Sequence, residues 1–307
     1  MDLNEYMRRS AETDQMGNQE EAVKLALLGI AGEAGSVVSE GKKWFRDNKL
    51  SQGLEENVRE ELGDLLWYVA SLARRLKMDL NQVLEANLQK TREFWSSDMG
   101  PLPDYDDHNF PRQKFLRNME VRFVEDHSGQ MTIVRMEPLG ELASRAQEEE
   151  QRKHKKAQLG DDLDDNSIMD DGYRYHDIIH LAHATVLGWS PVLRALMGAQ
   201  RREVGEKDRV EDGARAKAIE EGLAAFVFNY LEPYDYDVKH IDWTLLKHVR
   251  RTVMDLEVSS QPLAVWRHAY EQAFTIFLQL KNNRGGQVKC DLDKRQLAFF
   301  NELQVTE

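Results

Sequence analysis

Glu33, Ser36 and Glu40 recur at i, i+3 and i+7, and Glu61 and Asp64 at i and i+3. On helices each set shares one face. Glu61 and Asp64 lie within Arg59-Glu60-Glu61-Leu62-Gly63-Asp64-Leu65-Leu66-Trp67, so both border an apolar stripe. A carboxylate held beside a core is costly unless something positive neutralises it. Hard divalent cations take oxygen ligands, and Mg2+ is commonly held by a few carboxylates together with water and substrate phosphates. Two acidic helix faces opposed in a hairpin would supply such a site; the alternative is a pair of solvated acidic surfaces. A second set lies far along the chain, where His176, His180 and His183 stand at i, i+4 and i+7. Two histidines one turn apart can chelate a transition metal. Glu220 or Glu221, on another helix, could complete that site. The alternative is a histidine-lined face satisfied by internal hydrogen bonds.

These side chains need helices to place them. Glu20 to Trp44 carries Val23, Leu27, Ile30, Ala34, Val37 and Val38 at helical spacing. Gly29, Gly32 and Gly35 inside it cost roughly 1 kcal/mol each against alanine, and are best tolerated where another backbone or a ligand comes close. Arg46-Asp47-Asn48-Lys49 reads as a turn. Glu55 to Lys77 is the next helix, with Leu62, Leu65, Leu66, Val69, Leu72 and Ala73 as its apolar face, and Asp79 caps a last helix through Phe94. Trp44, Trp67 and Trp95 are read as core residues, with stacking on a base as the alternative.

Pro101, Pro103 and Pro111 then break the pattern. Met119 to Val124 and Met131 to Met136, separated by Asp126-His127-Ser128-Gly129, predict a hairpin. Gln147 to Lys156 reads as a solvated charged helix, followed by an acidic loop over Asp161-Asp162-Leu163-Asp164-Asp165. From Tyr173 onward the chain is helical again, apart from Gly285-Gly286, and Trp266 to Leu280 is amphipathic enough to be core or a subunit interface. Arg201, Arg202, Arg209 and Arg215 are either phosphate contacts or ordinary surface. The expected architecture is mainly α: an all-α helical bundle over residues 1–100, a linker over 101–165 with a hairpin at about 119–136, and a second helical domain over 166–307.

Composition narrows the function. The 307 residues suit two domains. With 41 Lys and Arg against 54 Asp and Glu, the net charge of −13 argues against extended nucleic-acid binding, which requires a basic face. No stretch approaches the ~20 apolar residues of a membrane helix, so no membrane partner is expected. Met1-Asp2-Leu3-Asn4-Glu5 lacks the layout of a signal peptide, and the one cysteine, Cys290, has no internal partner. A reducing, cytoplasmic setting is expected.

Gly32-Glu33-Ala34-Gly35-Ser36-Val37-Val38-Ser39-Glu40, followed by Glu60-Glu61-Leu62-Gly63-Asp64, resembles the paired acidic motif of the MazG-like all-α nucleotide pyrophosphohydrolases. The likeness covers roughly residues 20–95. Asn87-Leu88-Gln89-Lys90-Thr91-Arg92 is similar to the segment of that family in which an Asn and a Lys reach the substrate phosphates. The resemblance implies Glu33, Glu61 and Asp64 as catalytic metal ligands for Mg2+, with Mn2+ as a substitute. The family pattern has an acid where Ser36 stands, and Glu40, one turn further on, is the expected replacement. Asn87, Lys90, Arg92 and Lys43 are the expected phosphate contacts. The implied reaction splits a nucleoside or deoxynucleoside triphosphate between its α- and β-phosphates, giving a monophosphate and pyrophosphate, for nucleotide-pool control or sanitation. Relatives form dimers or tetramers, so a homo-oligomer is expected.

The stretch from Asp171 to Arg215, with Gly188-Trp189-Ser190-Pro191, resembles the C-terminal domain that accompanies some MazG-like domains. Its role is not supplied by the resemblance. The His176-Asp177 doublet is also similar to that of the HD phosphohydrolases, whose remaining His and Asp find no place here at the class spacings. Two other readings stay open: a nucleotide sensor with a weakened site that acts through the C-terminal domain, and a separate metal hydrolase built on His176, His180 and Glu220 or Glu221.

Overall fold

The computed structural model describes residues 1–17, 19–47, 53–96, 98–106, 110–127, 129, 131–153 and 158–301. Asn48 and Lys49 of the expected turn, Ser128 of the hairpin loop, and residues 154–156 of the charged run lie outside them. The chain divides into two compact units, Met1–Arg92 and Glu93–Glu307.

In the first unit α1 (Leu3–Ser10) begins where the Asp2 side chain accepts the Glu5 N–H. Its partner α3 (Leu54–Arg75) packs along α2 (Gln19–Asp47). Gly29 of α2 meets Tyr68 of α3, while Glu40 meets Asn57, so the two helices run antiparallel as a hairpin. A Cβ at Gly29 would fall 2.3 Å from the Tyr68 ring, which is why that position takes glycine. Gly32 and Gly35 differ from expectation: nothing lies within 4 Å of a Cβ at either. The helix also runs through Arg46 and Asp47, past the start of the expected turn. Asp79 does cap α4 (Leu80–Trp95), accepting the Asn81 N–H at 2.9 Å.

The segment between α1 and α2 is tied to α3 by one carboxylate. Asp14 accepts two bonds from Arg75 (2.6 and 2.9 Å), one from Arg74 (2.8 Å) and one from the Ser71 hydroxyl (2.7 Å). Nearby, the Trp67 indole donates to Thr13 at 2.9 Å.

The core of this unit is small. Ala22, Ala26, Ala70 and Ala73 are buried, whereas Leu28, Val38, Leu62 and Leu66 stay exposed. The wide apolar face anticipated on α3 is therefore only partly covered. Trp44 is also exposed, as is Trp95 in the second unit, so neither is a core residue. Among the described residues one helix, Glu20–Arg46 within α2, is long and apolar enough to cross a membrane by length and composition. One such helix is a weak signal, since the core helix of a soluble protein passes the same test. The same helix packs along α3 and carries Glu33 and Glu40.

The second unit is built on an antiparallel sheet. β1 (Asn118–Asp126) and β2 (Ile133–Leu139) form the anticipated hairpin, paired from Glu120↔Leu139 to Asp126↔Ile133. The sheet order is β3-β2-β1-β4-β5, with β3 (Leu159–Leu163), β4 (Gly285–Asp291) and β5 (Gln296–Phe300). Three of these strands were not expected. The acidic loop contributes β3, where Asp162 pairs with Arg135 across the sheet. Gly285-Gly286 opens β4 rather than merely ending a helix. Their φ angles are +117° and +139°, and a Cβ at Gly285 would lie 2.4 Å from the Phe123 carbonyl oxygen. The expected linker thus belongs, in this structure, to the same compact unit as the chain's final strands.

Met119, Val121 and Phe123 of β1 alternate inward, as do Val134 and Met136 of β2 and Val288 and Cys290 of β4. The helical side of the core centres on α11 (Leu263–Asn283), which touches α6 (Asp177–Ala182), α10 (Trp243–Thr252), β4 and β5. Trp266, Tyr270, Phe274 and Phe277 of α11 are all buried, as expected of its amphipathic pattern. A helix α5 (Gly140–Lys153) crosses from β2 toward β3, and α7 (Pro191–Leu196), α8 (Gly205–Val210) and α9 (Ala214–Leu231) complete the unit.

Candidate functional site

The α2–α3 hairpin brings three carboxylates together. One oxygen each from Glu33, Glu61 and Asp64 lies within 4.8 Å of the others. Glu33 and Glu61 are half-buried and Asp64 is exposed, so the group sits at the surface of the hairpin. Like charges at this separation resist ionising together. Burial, then the adjoining Glu33 carboxyl, then the charge of Asp64 push the Glu61 carboxyl above its ordinary range, while a bond from Ser36 pulls the other way. All the donors are hard oxygens, and their charges oppose one another; both features fit a hard dication.

Glu40 is not in this group. Its side chain is mostly buried, with one oxygen bonded to Lys43 Nζ and the other accepting from Asn57 Nδ2 at 3.1 Å. These bonds, Lys43 first, hold its carboxyl below the usual range. Lys43 is engaged with Glu40. Asn87, Lys90 and Arg92 lie on the exposed surface of α4, and none of them belongs to the carboxylate group.

Tyr6 was not singled out from the sequence. Its hydroxyl is raised by burial and then by the charge of Asp64, which places this α1 side chain near the carboxylates. A groove of ≈ 270 Å³ runs beside it, lined by Leu3, Tyr6, Leu66, Val69 and Leu80. No spacing rule links residue 6 to residue 64, so the sequence carried no signal for it.

In the second unit, Arg174 fixes the chain ahead of α6. Its guanidinium pairs with Asp165 at 2.6 Å and Asp170 at 2.7 Å, and Tyr175 donates to Glu125. His176 and Asp177 then start α6, and after His180 the chain opens into a π turn at His183–Leu187. Such turns often accompany functional sites. Across from them stand Glu220 and Glu221 of α9, and these two neighbours do different things.

Glu220 is fully buried. One oxygen lies 3.0 Å from both His180 Nδ1 and His183 Nδ1, and the other accepts the Val192 N–H at 2.8 Å. Burial would raise its carboxyl, but the charge of His180 and the two histidine contacts outweigh that and bring it down to about 2. His183 is enclosed by Trp189, Trp266 and Tyr270, and its burial lowers it. Glu221 instead reaches toward His176 and His180 from the solvent side, at 3.9 and 3.4 Å. Asp177, which the sequence offered only as half of a doublet, faces the same point.

The arginines divide too. Arg201 is wholly buried, bound to Asp212 at 2.6 and 3.0 Å and to Glu257 at 2.7 Å, so it is neither surface nor phosphate contact. Arg215 is on the surface, 3.6 Å from Asp255.

Residues 20–93 match the family described as MazG nucleotide pyrophosphohydrolase domain, and residues 100–303 match the one described as MazG C-terminal domain. Among curated proteins, the Gene 37 protein of Mycobacterium phage L5 is 38% identical over 72 residues, which is 23% of this chain. The matched stretch spans 63% of that relative's length. No solved structure matches the chain.

Proposed function

Since the chain belongs to the MazG family, by matches that together run from residue 20 to residue 303, we propose that its first unit hydrolyses nucleoside or deoxynucleoside triphosphates to monophosphate and pyrophosphate. The observation that carries this reading is the convergence of Glu33, Glu61 and Asp64 from two antiparallel helices. These three residues would hold Mg2+, or Mn2+ in its place. A dication bound there supplies neutralisation of the phosphate oxygens and lowers the pKa of an attacking water.

The chain's own residues do the rest. Glu33, on the helix opposite the Glu61–Asp64 pair, is the proposed general base, able to accept the proton of the attacking water at its second oxygen. Asn87, Lys90 and Arg92 of α4 are the proposed contacts to phosphate, where cationic donors offset developing charge. Glu40 and Lys43, satisfied by each other and by Asn57, fix the spacing of α2 and α3 and so act by positioning. The domain boundaries proposed are 1–100 for the hydrolase and 166–307 for the helical C-terminal domain, with the connecting residues 101–165 falling in the same compact unit as the latter.

The exposed Leu28, Val38, Leu62 and Leu66 support assembly of the first unit with further copies of itself, as a dimer or tetramer. The charge of −13 supports a protein without extended nucleic-acid partners, and a cytoplasmic setting is proposed with it. A second reading, a nucleotide sensor, is favoured by one observation: Ser36 occupies the fourth position of the motif, and Glu40 is drawn away from it.

The test is product analysis with a panel of NTPs and dNTPs, with and without Mg2+. Monophosphate and pyrophosphate released together, and only with the dication, would support the hydrolase. Binding of nucleotide without turnover would move the assignment to the sensor.

A further inference from the structure

We infer that His176, Asp177, His180 and Glu221 form a site for one first-row transition-metal dication, which staples α6 to α9. The site is separate from the carboxylates of the first unit and does not rest on the activity proposed for them.

The argument starts with the protons. His176 Nδ1 lies 2.9 Å from the Tyr173 carbonyl oxygen, which can only accept. That nitrogen therefore carries its hydrogen, and Nε2 presents a lone pair in the neutral ring. The ring is held in this orientation by Tyr173, which stacks on it at 4.3 Å. His180 differs: its Nδ1 lies 3.0 Å from the Glu220 carboxylate without a hydrogen bond, and its Nε2 is directed to the other side. Glu220 is itself fixed by His183 and by the Val192 N–H. In His176 the second nitrogen is bound by a carbonyl, the arrangement that orients metal-ligating imidazoles.

Both Nε2 atoms point at carboxylates. His176 Nε2 is 3.2 Å from Asp177 Oδ1 and 3.9 Å from Glu221 Oε2. His180 Nε2 is 3.8 and 3.4 Å from the same two oxygens. His180 is 1% exposed, yet its Nε2 makes no hydrogen bond. A charge-assisted N–H···O bond would close to about 2.7–2.9 Å. Ligands on a tetrahedral ion, with bonds of about 2.0–2.2 Å, stand roughly 3.3–3.6 Å apart. The four separations bracket that range, and an ion at their centre would coordinate a buried nitrogen that makes no hydrogen bond.

The donors also select the ion. Two imidazole nitrogens and two carboxylate oxygens suit Zn2+, Co2+, Mn2+ or Fe2+ better than Mg2+, which takes oxygens. Two carboxylates balance the charge of a dication. His176, His180 and Glu221 offer ligand atoms within 4.8 Å of one another, and Asp177, beside both Nε2 atoms, would be the fourth donor of a tetrahedral shell, the pattern of a structural site. Glu221, with its side chain 48% exposed, is the route by which the ion enters.

The experiment uses the full chain carrying Glu33→Gln and Asp64→Asn, so that the first unit's carboxylates do not compete. After chelator treatment it is titrated with Co2+, read by visible d–d absorption, and with Zn2+, read by metal content after dialysis. The expected result is one equivalent per chain, intense tetrahedral Co2+ bands and a raised melting temperature on loading. Adding Glu221→Gln or His176→Gln should weaken affinity at least tenfold. Glu221 is at the surface, so its variant tests the ligand set even where a histidine variant fails to fold. Absence of stoichiometric binding would overturn the site, as would unchanged affinity with Glu221→Gln.

Discussion

Asn57 of α3 donates its amide to Glu40 of α2 at 3.1 Å, closing one end of the helical hairpin and taking that carboxylate out of the cluster its sequence spacing suggested. Glu40 and Asp64 should therefore respond differently to mutation. Asp64→Ala is expected to lower turnover on the order of 10²–10³-fold, the range for losing one group that stabilises transition-state charge. Glu40→Gln is expected to cost less than about tenfold, together with about 1 kcal/mol of stability from the weakened contacts to Lys43 and Asn57. Steady-state kinetics beside thermal melts checks both; equal losses in the two variants would return Glu40 to the site.

Ser36 is the position where a fourth acid would stand, and its hydroxyl acts to lower the neighbouring Glu61 carboxyl. Ser36→Glu should tighten the dependence on Mg2+, lowering the concentration required for half-maximal turnover. Titration of activity against Mg2+ reads this directly. A variant that needs more Mg2+ than the natural chain would show that the serine is the better residue here.

Asp14 links the N-terminal segment to α3, and its bonds to Arg75, Ser71 and Arg74 hold its carboxyl well below the ordinary range. A depressed carboxyl stabilises the fold above the unfolded pKa of about 3.9 and loses that contribution as pH falls toward its folded value. Asp14→Asn is expected to destabilise by about 2 kcal/mol at neutral pH. The gap in melting temperature between the two proteins should stay level from about pH 5 upward and narrow below about pH 4. A gap independent of pH throughout would mean that the charge of Asp14 is irrelevant.

Gly29 and Gly32 are one turn apart on α2 but meet different surroundings. Gly29→Ala drives a methyl into the Tyr68 ring and should cost about 1–3 kcal/mol. Gly32→Ala meets open space and should stabilise by up to about 1 kcal/mol through helix propensity. Chemical denaturation of the two variants gives the sign of each.

The sequence alone carried the local and periodic features. Glu33 and the Glu61–Asp64 pair were legible because helical spacing assigns faces. The hairpin at β1 and β2 was legible because its alternation is short-range, and α11 because its apolar stripe is long. What no local pattern carries is contact between distant segments. The strands opened by Gly285 and formed at Leu159 exist because their backbones pair with β1 and β2, more than a hundred and about twenty residues away, respectively. Lysine and asparagine contacts decided that Glu40 would turn from the cluster, and α1 decided that Tyr6 would stand near Asp64. Adjacent acids Glu220 and Glu221 were equivalent candidates in the sequence. Only packing against α6 separated them, because successive residues on a helix point about 100° apart: one faces the buried Nδ1 atoms, the other the Nε2 atoms nearer solvent.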